Sequence, residues 1–156
     1  MEELDQPPPT KDECTIAMLA HLLQLFTGFI GPLALLVVKR DSRFVVFHAL
    51  QALLLQIALV ILGLFTVLTW FGFFIYVAAT QWTPKQGAGR VPVVAILILG
   101  LFILLWMAAW AIDLLAAIIF GIKAHRGEWA EYPLIGKYAR RLAGIPNSRK
   151  SMPSPP

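Results

Sequence analysis

Three long apolar stretches, at about residues 15–38, 44–79 and 91–122, fill most of the chain. A helix rises about 1.5 Å per residue and the hydrocarbon core of a bilayer is about 30 Å thick, so roughly 20 apolar residues make a span. Each stretch reaches that length. The expected fold is therefore all-α: an integral membrane helical bundle of three transmembrane helices, the second long or kinked, followed by a C-terminal interfacial amphipathic helix. Soluble domains carry about 25% charged residues; here the share is 14%, against 58% hydrophobic. The lone cysteine, Cys14, excludes an internal disulfide and a Cys-only zinc site.

Residues 1–14 are acidic and proline-bearing, and 143–156 are polar and proline-rich, so both read as disordered tails around a membrane domain at 15–142. An acidic leader without a small-residue exit does not fit a cleaved signal peptide.

The basic residues set an expected orientation. Lys39, Arg40 and Arg43 follow the first stretch, and seven more Lys and Arg follow the third; with three spans these ten of thirteen share one side. Cytoplasmic loops hold the excess of Lys and Arg. The expectation is an N-terminus outside and a C-terminus in the cytoplasm. Trp82 and Trp129 flank the later stretches and suit the membrane–water boundary. Trp106 and Trp110, one helical turn apart, are expected to pack between helices.

The stretch at 44–79 exceeds one span. It admits three readings: one tilted helix, a helix kinked at Gly63 or Gly72, or two short spans meeting near Gly63. The first is preferred, because no polar turn interrupts it and bare turn backbone is costly in hydrocarbon.

Polar residues inside the apolar runs are the functional candidates. Asp113 lies ten residues before Lys123, about 15 Å along a helix. A carboxylate at that depth is costly, and it marks either an interhelical hydrogen bond or an ion path. His21 and Gln24, then His48 and Gln51, are each three apart and so share a helix face; Gln56 follows. Such faces hydrogen-bond neighbouring helices. His21, His48 and Asp113 are adequate metal ligands in kind, but their spacing is not that of a metal site, and no metal or other cofactor is expected. Gly28, Gly31 and Pro32 interrupt the first stretch and predict a helix kink.

In the segment at 129–142, Leu134, Tyr138 and Leu142 recur every fourth residue among Lys137, Arg140 and Arg141. That pattern suits a helix on an anionic leaflet. Lys39, Arg40 and Arg43 are head-group candidates for the same reason. The basic residues flank the spans, so nucleic acid is not expected as a partner. No nucleophile elbow, zinc-protease helix or phosphate loop is present, and no enzymatic activity is expected.

Several elements resemble a known family. They are Ala17-Met18-Leu19-Ala20-His21, Gly31-Pro32-Leu33, Phe47-His48-Ala49-Leu50-Gln51-Ala52, and Gly127-Glu128-Trp129 with Tyr132-Pro133-Leu134. Over about residues 15–140 the chain resembles a bacterial Tic-twenty-like family of small membrane proteins. That family is distantly grouped with the twenty-kilodalton subunit of the chloroplast inner-envelope protein import machinery. The resemblance implies membrane helices and a bacterial inner membrane, but no defined activity. Two function classes follow. The first is a non-enzymatic scaffold or accessory subunit of a membrane complex, linked to protein translocation or assembly, with a membrane-protein partner or a second copy of itself. The second is an oligomeric transporter or channel using Asp113 and the histidines.

Overall fold

A computed structural model describes residues 8–81 and 93–145. Trp82 and the tails beyond these limits lie outside the described residues. The described residues form five helices and no strand: α1 (Lys11–Thr27), α2 (Ile30–Val38), α3 (Arg43–Gln81), α4 (Val93–His125) and α5 (Gly136–Leu142).

Helix α1 begins at Lys11, inside the segment expected to be a tail. Its start is fixed by a capping box: the Thr10 side chain accepts from the Glu13 N–H, and the Glu13 carboxylate accepts from the Thr10 N–H at 2.8 Å. Two otherwise orphaned donors are thereby satisfied.

The first apolar stretch is not one span-length helix. It folds into a hairpin of two helices, each too short for a span: 17 residues in α1 and 9 in α2. The turn centres on Gly28, whose φ of 59° and ψ of −131° suit only glycine. The Thr27 hydroxyl accepts from the Gly31 N–H at 3.0 Å, which caps the returning helix. A Cβ added to Gly31 would lie 2.7 Å from the Leu23 Cβ, so the absent side chain is what lets α2 close on α1. Pro32 sits in the first turn of α2, where its missing N–H is no loss, rather than inside a kinked helix. The return brings Lys39 and Ser42 beside Glu13. Hydrogen bonding from Ser42 holds the Glu13 carboxyl below the ordinary range, and Lys39 adds to this.

Two helices are long and apolar enough to span a membrane: α3 over Arg43–Ala79 and α4 over Ala95–His125. The count is two, not three, because a hydropathic run of span length is here divided by a glycine turn. α3 is a single uninterrupted helix, as preferred from the sequence.

The chain divides into two compact units. One, at 58–112, pairs the later part of α3 with the earlier part of α4. Trp106 seats on Gly63, where an added Cβ would meet the indole at 3.0 Å, and Trp70 meets Phe102 edge-on at 6.2 Å. Trp106 thus touches α3 while staying 39% exposed, and Trp110 is 63% exposed, so neither is enclosed between helices. The other unit holds α1, α2, the start of α3, the end of α4, and the segment through α5. Cys14, Ala17, Phe44 and Ala124 form a small apolar core there, with Trp129 packed against it. All the buried polar groups lie in this second unit.

Candidate functional site: a buried polar clasp

Small residues let α1, α3 and α4 approach closely. Ala17, Ala20, Ala49, Ala52, Ala117 and Ala124 are fully buried, and Gly121 faces Met18 and His21. Between these helices lie His21, Gln24, His48, Gln51, Gln56 and Asp113, all buried. The sequence expected each to face a neighbouring helix; the structure joins them in two groups.

In the first group, His21 Nε2 lies 3.0 Å from His48 Nδ1, and His21 Nδ1 lies 2.8 Å from the Tyr132 hydroxyl. His48 Nε2 lies 3.1 Å from the Glu128 carbonyl oxygen. A carbonyl only accepts, so His48 Nε2 carries the proton. His48 Nδ1 therefore accepts from His21 Nε2, and His21 Nδ1 accepts from Tyr132. One backbone carbonyl thus fixes both neutral tautomers and the direction of every bond. Burial pushes the Tyr132 phenol above its ordinary pKa, which keeps it a donor. Gln51 donates to the Ala130 carbonyl at 3.0 Å and accepts from the Tyr132 N–H. Two side chains of α3 thereby satisfy the backbone of 128–132, an irregular segment with no ladder of its own.

In the second group, Asp113 is held from two sides. Gln24 of α1 donates to Oδ1 at 3.1 Å, and Gln56 of α3 donates to Oδ1 and Oδ2 at 3.1 and 3.0 Å. Asp113 thus ties α4 to α1 and α3 at once. Gln24 Oε1 is buried without a partner among the described residues.

Aromatic rings enclose the first group. Phe44 and Phe47 meet the His48 ring edge-on at 4.7 and 5.2 Å, and Phe120 meets Tyr132 at 4.2 Å. Tyr132 has no role predicted from the sequence beyond its place in a family element. The signal was a polar aromatic followed by proline just past a span end.

The head-group candidates divide. Lys39, Arg40, Arg43, Lys137 and Arg141 are exposed. Arg140 turns inward, paired with Glu131 and lying 5.5 Å over the Phe47 ring. Trp129 is half-buried against Phe44 and Phe47.

Among the described residues the clasp is saturated but for Gln24 Oε1. Its imidazoles, phenol and carboxylate are engaged with one another, with the glutamines or with backbone. Among the described residues, no group of three or more His, Cys, Asp or Glu side chains is arranged to hold a metal.

Residues 12–139 match the magnetosome magnetite crystal formation protein family, MamF/MmsF. The chain belongs to that family. This corrects the resemblance to a Tic-twenty-like family. Two of the elements that suggested it, His48-Ala49-Leu50-Gln51-Ala52 and Gly127 through Pro133, meet in the clasp. No curated protein and no solved structure matches the chain.

Proposed function

We propose that this chain is an integral protein of the magnetosome membrane that serves magnetite crystal formation as a fixed helical element, without catalysing a reaction. The observation that carries this reading is the family match over residues 12–139. Two helices able to cross a bilayer support the membrane location. The saturated clasp supports a structural role, since its polar groups are spent on holding α1, α3 and α4 together. Asp113, the residue that suggested transport, has its place in that clasp.

The same reading sets an orientation. With two spans the chain ends share one side, and the hairpin brings the start of α1 to the side of Lys39 and Ser42. That side carries Lys11, Lys39, Arg40, Arg43, Lys123, Arg126, Lys137, Arg140 and Arg141, whereas Lys85 and Arg90 lie between the spans in sequence. By the excess of Lys and Arg, both ends are cytoplasmic. The three-span expectation of an external N-terminus is replaced.

The test is deletion of the coding sequence in the source cell, with crystals measured by electron microscopy. Altered crystal number, size or form, restored by the wild-type chain, is the expected result; unchanged crystals refute the reading. Reporter fusions at each end test the orientation. Both should report cytoplasm, and an external signal from either end refutes it.

A further inference from the structure

Three segments distant in sequence meet at one end of the clasp unit: the connection Lys39–Ser42, the last turn of α4, and residues 128–142. Phe44 meets Trp129 edge-on at 5.1 Å, His48 reaches the Glu128 carbonyl, and Arg140 lies over Phe47. Arg40, Arg43, Arg126, Lys137 and Arg141 are all exposed there, with Asp41, Glu128 and Glu131 as the exposed acids among them, the last paired with Arg140.

Helix α5 presents two faces. Gly136, Ala139 and Arg140 are buried against the unit. Leu134, Tyr138 and Leu142, four residues apart, are 86%, 63% and 66% exposed. Leu134 is moreover held at φ 71°, a left-handed conformation that costs a leucine free energy. Lys137 and Arg141 border this apolar strip. The strip follows the end of α4 by about ten residues, and α4 ends and α3 begins at this same basic end.

We propose that residues 134–142 lie on the bilayer surface and that Lys137 and Arg141, with Arg40, Arg43 and Arg126, bind the phosphates of anionic phospholipids in that leaflet. The apolar strip enters the acyl boundary while the cations stay at phosphate depth, the arrangement of an interfacial helix. Span ends on either side of the patch place it at that depth. A net positive rim complements anionic lipid. The inference rests on α3 and α4 crossing the bilayer.

The test uses the full chain. Purified in mild detergent with equal phosphatidylglycerol and phosphatidylcholine, it is examined by native mass spectrometry for retained lipid. Wild type should retain phosphatidylglycerol in severalfold excess. Each near-surface cation contributes about fivefold in affinity for an anionic surface, so losing two with Lys137→Gln and Arg141→Gln should abolish the excess. A second measurement needs no basic-residue variant to fold. Tyr138→Cys in a Cys14→Ser chain, labelled with an environment-sensitive fluorophore, should emit as a lipid-immersed probe in phosphatidylglycerol nanodiscs. It should move toward its aqueous emission at high salt, where screening is strong. Equal retention of the two lipids by wild type, or a probe that stays aqueous, overturns the proposal. Alkaline carbonate extraction separates the two failures. A chain released from membranes refutes the spans themselves, while a chain that stays without lipid preference refutes only the docking.

Discussion

Replacing Asp113 by leucine sets two magnitudes of opposite sign against each other. Were the side chain turned to lipid, the change would stabilise the protein by about 3–4 kcal/mol, the difference between Asp and Leu at the centre of an inserted helix. Inside the clasp it removes the acceptor for Gln24 and for Gln56. Each buried amide left without an acceptor costs about 1–3 kcal/mol, so the loss is about 2–6 kcal/mol. Asp113 is 6% exposed, which selects the second account. Asp113→Asn keeps one oxygen for both glutamines and should cost only about 1 kcal/mol, within the range of interhelical hydrogen bonds in membranes. Unfolding by added dodecyl sulfate in mixed micelles, followed by circular dichroism, reads both variants. The order expected is wild type, then Asn, then Leu. A leucine variant as stable as wild type or more so refutes the clasp.

Three further outcomes follow from the hairpin and its lock. Gly28→Ala forces a Cβ into a backbone region that alanine avoids, at about 1–3 kcal/mol, and the same titration should show that loss. Tyr132→Phe leaves the buried His21 Nδ1 without its donor and should cost about 1–3 kcal/mol; an unchanged stability would mean that the phenol does not donate there. The Glu13 carboxyl is held below its ordinary value of 4.5. Its cap is therefore complete above that pH and weakens as pH falls through the lowered value. The exchange protection factor at the first turn of α1, taken against the intrinsic rate at each pH, should fall in acid for wild type and stay constant for Glu13→Gln.

Much of this was legible in the sequence because membrane helices advertise length. The runs at 44–79 and 91–122 are two real helices. The His–Gln pairs, set three apart, each share a helix face, since that spacing fixes the face whatever the partner, but Gln51 bonds the irregular segment at 130–132 rather than a helix. The first run misled for a physical reason. Hydropathy measures how many apolar residues are consecutive and not whether the chain keeps its direction, and one glycine at φ 59° reverses it. The Gly28, Gly31 and Pro32 signal was present but read as a kink, because only the contact between Gly31 and Leu23 distinguishes a bend from a return. The partners of the histidines were hidden for another reason. Part of the clasp is backbone, the carbonyls of Glu128 and Ala130 and the Tyr132 N–H, which have no residue type to read.

The separation of partners in the clasp also orders the birth of the protein. His21 waits for a hydroxyl 111 positions later, and His48 for a carbonyl 80 positions later. A ribosome that has delivered both spans has not yet released the segment that locks them. Until then His21 and His48 have only each other as partners.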